Sequence, residues 1–338
     1  MESLSLWFTA PEKAELKASR LLPPEKNEIL VKALFSGVSA GTERLVYRGE
    51  ATAEDTWDTS LPTVEGSFYF PLKYGYSNVG EVLACGKEVV KFKPGDKVFV
   101  LAPHQSHYVI RQEWANPLKE SISPEKGVFL ANLETAINCL LDAEFHLGEN
   151  VVIFGQGVVG LLLTQLFRLA GAEKVITVEK EAKKQGVSLK VGADYCFSPE
   201  DKSFLSLIRN LTKGKGVDLA VDASGTPEAL DLALKTVAFQ GTVLVVSWYG
   251  NKPVTCYLGK EFHRKRLNIK CSQVSNLNPA LVYRWDKKRR MALAQDLLPR
   301  LKLEELISHI YPFKNAPAVF QEINRHPEEF IQVIFKYF

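Results

Sequence analysis

An α/β fold is predicted for this chain: a β-rich first part, then a doubly wound parallel sheet of six strands. Three observations predict it. Up to about residue 133, short apolar runs alternate with turn signals, as in a β-rich segment. From about 134 to 275, strand-like runs alternate with helical stretches, the pattern of a parallel sheet with crossover helices. Within that second stretch, residues 151–179 join a strand, a glycine turn, a helix, a second strand and a terminal acid in one unit.

In the first part the strand candidates are 4–9, 28–34, 79–84, 97–101 and 108–110, and Lys93-Pro94-Gly95-Asp96 is a turn leading into the fourth of them. Residues 50–65 are polar and weakly patterned, which predicts an exposed loop. In the second part, strands at 151–154, 174–178, 194–197, 217–222, 241–247 and 267–272 alternate with helices at 158–170, 181–190, 203–212 and 227–236. Right-handed crossovers then place a ligand at the carboxyl ends of the strands. After 275 come a helix at 289–300, a proline-bounded segment near 311–317, a helix at 318–325 and a strand at 330–335. The expected organisation is a domain of 1–133, completed by 276–338, and a second domain of 134–275.

The most specific motif is Gly155-Gln156-Gly157-Val158-Val159-Gly160. Gly155 permits the tight turn, Gly157 lets the backbone approach a pyrophosphate, and Gly160 lets the helix pack close to the strand. The helix N-terminus adds free N–H groups and a partial positive charge. Glu179 lies 19 residues past Gly160, close to the ~20 expected of an acid that holds a ribose diol. The unit predicts a bound dinucleotide. Glu179 favours NAD(H) over NADP(H), because its charge repels a 2′-phosphate. Lys180, adjacent to it, is carried as a cofactor contact, yet Lys180, Lys183 and Lys184 read more simply as surface lysines of a helix.

The chain has 338 residues, which suggests two domains, and its 46% apolar and 24% charged content is that of a soluble globular protein. A net charge of +3 argues for neither nucleic-acid nor membrane partners. The basic run Lys287-Lys288-Arg289-Arg290 reads as solvated surface. Five scattered cysteines without a CxxC spacing read as reduced thiols, and no secretory or membrane-spanning pattern is visible, so a cytoplasmic location is expected.

Several segments together resemble the medium-chain dehydrogenase/reductase superfamily. They are Gly37-Val38-Ser39-Ala40-Gly41-Thr42-Glu43, Lys93-Pro94-Gly95-Asp96-Lys97-Val98, the glycine turn, Val221-Asp222-Ala223-Ser224-Gly225 and 313–320. The resemblance implies a GroES-like catalytic domain built from both chain ends, a Rossmann domain between them, a cofactor cleft, a small-molecule substrate, and a homodimer or homotetramer. Where zinc-dependent members carry a cysteine this chain has Ser39; where they carry Gly-His-Glu it has Gly75-Tyr76-Ser77; the acid before the Rossmann strand remains as Glu134, and the four-cysteine lobe is absent. Zinc needs three or four such ligands at once, so no metal is expected. The sequence resembles a zinc-lacking bacterial branch in Pro103-His104, 132–136, 247–250 and 258–263, and its early segment is similar to that of bacteriochlorophyllide hydroxyethyl dehydrogenases.

Without zinc, hydride transfer at a carbonyl needs side chains to stabilise charge and carry a proton. Tyr76 and His104 are the candidates, steered by Glu43 and Glu134. Each has a plainer reading: Tyr76 as filler of the vacated metal site, His104 as a loop histidine, Glu43 as a helix cap. Thr135, Ser224, Gly225, Ser247 and Trp248 are expected against the cofactor. Tyr249, with His263 and Arg266 as an anion clamp, is expected against the substrate; the last two read equally as a charged strand edge. The expected function is a zinc-independent, NAD(P)-dependent oxidoreductase of an alcohol/carbonyl pair. The alternatives are an NADPH-dependent reductase of activated C=C bonds, as in quinone oxidoreductase relatives, and a dinucleotide-binding protein without chemistry.

Overall fold

The computed structural model describes residues 1–51 and 68–338. The loop expected at 50–65 lies almost wholly outside the described residues. The chain divides into two compact units: Met1–Ala131 with Gln295–Leu303 and Ile307–Phe338, and Asn132–Ala294 with Glu304–Leu306.

Among the described residues, the first unit is built on a seven-stranded sheet and a two-stranded hairpin. Strand Glu28–Val38 is the centre of the sheet, pairing antiparallel with Asn78–Cys85, His107–Arg111 and Gln332–Lys336. The hairpin joins Glu2–Ala10 to Lys13–Arg20. Its second strand is mostly exposed, which is why no apolar run announces it. One core gathers Leu6, Phe8, Tyr47, Phe320 and Phe335. Phe8 meets the rings of Tyr47 and Phe320 edge-on at 5.2 and 5.0 Å, a favoured aromatic geometry. Helix Ala40–Tyr47, foreshadowed only by the reading of Glu43 as a cap, starts after Ser39 and lays Leu45, Val46 and Tyr47 inward.

The second unit carries six strands, every neighbouring pair parallel. Their order is Tyr195–Phe197, Lys174–Val178, Asn150–Phe154, Val217–Asp222, Val237–Val245 and Asn268–Cys271. The chain starts in the middle at Asn150–Phe154, winds outward twice, then resumes on the other side at Val217–Asp222. The order therefore reverses between those two strands, the place where open α/β sheets bind ligands. Val151, Val152, Ile153, Ala220 and Val221 are fully buried, as a parallel sheet requires. In the run 287–290, Lys287, Lys288 and Arg289 are exposed as expected, but Arg290 is only 3% exposed, in helix Lys287–Leu297, where it pairs with Glu134. Among the described residues no helix is long and apolar enough to cross a membrane.

Candidate functional site

The glycine turn sits at the reversal point of the second unit's sheet. Gly155 has φ +86°, and a Cβ there would stand 2.6 Å from Ser224 Cα, so only glycine fits. A Cβ on Gly160 would fall 2.0 Å from the Gly155 carbonyl oxygen. At Gly157 a Cβ would meet nothing within 4 Å. This glycine is not demanded by packing, and its bare backbone opens outward where helix Val158–Leu169 begins. The first N–H groups of that helix have no partner within it. Val158 is buried and Val159 half-buried.

Glu179 reaches across this turn. One carboxylate oxygen accepts the Gln156 amide at 2.7 Å; the other accepts the Lys180 and Glu181 amides at 2.9 and 3.1 Å. Lys180 is exposed, with its ammonium 3.4 Å from Glu181. The Gln156 side chain folds beneath the turn, donating to the Gly155 carbonyl at 3.0 Å and accepting from Thr164 at 3.0 Å.

Ser224, Gly225 and Ser247 lie beside the turn and are joined. The Gly225 amide donates to the Ser247 hydroxyl at 2.8 Å, and the Ser224 hydroxyl donates to Asp222 at 2.7 Å. Trp248 is 38% exposed. Thr135, half-buried, lies on helix Leu130–Ala143. Tyr249, expected against the substrate, donates its hydroxyl to the Asp222 carboxylate. Burial and that carboxylate push the phenol well above the ordinary tyrosine range. His263 and Arg266 lie around the short helix Glu261–Arg264. Both are exposed, and among the described residues neither side chain makes a hydrogen bond or ion pair.

The first unit holds a second cluster. His104 is fully buried and both its ring nitrogens are engaged. The Ser36 hydroxyl is 2.7 Å from Nδ1, and Nε2 is 2.8 Å from Glu43. Tyr337 lies 2.9 Å from the Ser36 oxygen. One proton arrangement satisfies every partner: Tyr337 donates to Ser36, Ser36 to Nδ1, and Nε2–H to the Glu43 carboxylate. The other Glu43 oxygen accepts the Ser39 amide at 2.7 Å. Glu43 therefore caps helix Ala40–Tyr47 and holds His104 at once. Phe335 and Phe320 set their rings 5.3 and 6.2 Å from the imidazole. A Cβ on Gly75 would stand 2.8 Å from His104 Cδ2, so glycine admits the ring there.

His104 and Glu43 are sealed from solvent within the first unit, which suits a positioning role better than contact with a substrate. Glu134 lies in the second unit, where its carboxylate faces Arg290 at 3.2 Å, with both groups nearly buried. Burial raises the Glu134 carboxyl, and Arg290 opposes that. Tyr76 remains half-buried at the edge of the first cluster. Burial first, and the Glu43 charge second, push its phenol up to about 12, against hydrogen bonds from Ser39 and Thr42. Sequence reasoning missed Ser36, Tyr337, Asp222 and Arg290. Only Asp222 carries a local signal, a lone acid closing an apolar strand.

Comparison with known proteins agrees with this architecture. Residues 158–287 match the family model described as zinc-binding dehydrogenase. The chain is 28% identical over 341 residues to D-guloside 3-dehydrogenase of Escherichia coli K12, covering 96% of this chain and 97% of that protein. It is 24% identical to D-arabitol-phosphate dehydrogenase of Enterococcus avium, covering 95% and 97%. A dehydrogenase of Sinorhizobium meliloti 1021 solved with NADP superposes with a TM-score of 0.81 at 19% identity over 99% of both chains. These relatives are named dehydrogenases and match over nearly the whole chain, which supports an alcohol dehydrogenase-like oxidoreductase and agrees with the resemblance to the medium-chain dehydrogenase/reductase superfamily.

Proposed function

We propose that this chain transfers a hydride between NAD(H) and a polyol-type alcohol/carbonyl pair, with Tyr76 rather than zinc serving the substrate oxygen. The observation that carries it is the glycine turn at the sheet's reversal point, with Glu179 held across it by three backbone amides. A carboxylate there suits a ribose diol and opposes a 2′-phosphate. The polyol class is supported by relatives named for a guloside and for arabitol phosphate.

Zinc does not fit the residues present. Tyr76 with a phenol near 12 stays protonated at neutral pH and is no anionic ligand. Ser39 offers a neutral hydroxyl, and the Glu134 carboxylate is taken by Arg290. Zinc sites use thiolate, neutral imidazole or free carboxylate. Among the described residues no three His, Cys, Asp or Glu side chains are grouped to hold a metal ion.

A bound nicotinamide supplies or accepts the hydride. In carbonyl reduction Tyr76 donates a hydrogen bond to the substrate oxygen, then its proton, as negative charge develops there. Burial, and after it the Glu43 charge, raises the phenol, and His104, Ser36 and Tyr337 hold Glu43 in place. The test is a panel of sugar alcohols and glycosides with NAD+ and NADP+, followed by the absorbance of reduced nicotinamide on chelator-dialysed protein. NAD+-dependent oxidation that survives chelation is expected. Turnover that disappears on chelation and returns with zinc overturns the proposal.

A further inference from the structure

Asp222 ends strand Val217–Asp222, is fully buried, and spends its polar atoms on two loops. One carboxylate oxygen accepts from the Ser224 amide and hydroxyl at 3.0 and 2.7 Å. The other accepts from the Tyr249 phenol. The Asp222 carbonyl accepts the Val246 and Ser247 amides at 2.9 and 3.1 Å, and the Ser247 hydroxyl at 3.2 Å. Among the described residues no cation pairs with this carboxylate. A buried charge without a counter-ion is costly to keep for packing alone.

The network reaches the glycine turn. The Ala223 amide donates to the Phe154 carbonyl at 2.9 Å. The missing side chain of Gly155 is what lets that turn rest on the Ser224 backbone, 2.6 Å from where a Cβ would stand. Movement of the Ser224 peptide would therefore move Gly155. Tyr249, 27 residues along from Asp222, secures the far end of the same chain.

We propose that Asp222 is a positioning residue for the dinucleotide and Tyr249 its anchor, the two together fixing the Ser224 peptide that supports the glycine turn. This rests on the dinucleotide reading above. Tyr249 then acts on cofactor affinity instead of on the substrate.

The test is fluorescence titration of NADH and NADPH, well below the melting temperature, on the intact chain, Tyr249→Phe, Asp222→Asn and the double variant. Tyr249→Phe should weaken NADH about tenfold, as loss of one hydrogen bond to a buried carboxylate implies. Asp222→Asn keeps an acceptor for Ser224 and should weaken it less. The two effects should fail to add in the double variant, because both residues act through one peptide. A role confined to stability would lower the melting temperature and leave these affinities alone. Unchanged NADH affinity in Tyr249→Phe, or strictly additive losses, overturns the proposal. If Tyr249→Phe does not fold, Ser224→Ala removes another donor to the same carboxylate and carries the same expectation. An intact chain that binds neither nucleotide overturns the dinucleotide reading and this proposal with it; an intact chain that binds while the variants match it overturns this proposal alone.

Discussion

Tyr76 is the partly exposed member of the first cluster, and the groups behind it are sealed. Its removal in Tyr76→Phe should lower kcat for carbonyl reduction about 100-fold or more, the usual size of a general-acid contribution, in steady-state assays at neutral pH. The phenol is the acid form below about 12, so reduction should hold across neutral pH and fall only as pH climbs toward that value. Glu43→Gln removes the second cause of the shift and leaves burial, the first, in place. The fall should then begin at lower pH, still above the ordinary tyrosine value of about 10. A pH–rate profile of the two proteins checks this; identical profiles would disconnect Glu43 from Tyr76. The sign for stability is the same. Because folding raises this pKa, its contribution is complete below the unfolded value and is lost as pH rises through the folded one. Gly75→Ala presses a methyl on His104 from a left-handed backbone at φ +116°. It should cost about 1–3 kcal/mol, read as a lower melting temperature.

At the scale of elements, the turn separates two glycines that look alike in sequence. Gly160→Ala drives a methyl into the Gly155 carbonyl and should destabilise by about 1–3 kcal/mol. Gly157→Ala meets open space at φ −72°. It should leave the melting temperature unchanged while weakening NADH about tenfold, roughly 1.4 kcal/mol, because the backbone can no longer approach the phosphates closely. Calorimetry and nucleotide titration of both variants distinguish them. The strands of the second unit were legible because fully buried parallel strands read as apolar runs, as 151–154 and 217–222 do. Lys13–Arg20 was not, since it is polar on its own and gains its place only by pairing with Glu2–Ala10. Helix Ala40–Tyr47 lay hidden inside a motif noticed for other reasons. Its signal was Ser39 followed four residues later by the capping Glu43.

Over the whole molecule, the unseen parts of both clusters are those made by distant contacts. Ser36 and Tyr337 lie 301 positions apart, and Glu134 and Arg290 lie 156 apart, so no local pattern joins them. Arg290 shows the cost of reading charge by composition: a basic run on a helix held one residue for the interior. Arg290→Ala leaves Glu134 buried without its partner and should destabilise the chain by about 3–5 kcal/mol, measured by denaturant titration. The dinucleotide turn, by contrast, was legible almost residue by residue, since each of its glycines answers a local steric demand or opening. Tyr76 was legible too; what the fold adds is the buried His104–Glu43 pair at whose margin it sits. The most direct test of hydride transfer without metal is deuterium transfer from 4-deuterated NADH to a ketose or ketoglycoside, run on protein shown to be metal-free by elemental analysis. Deuterium on the product's carbinol carbon, reduced about 100-fold in rate by Tyr76→Phe, is the expected result. No transfer until zinc is restored would contradict it.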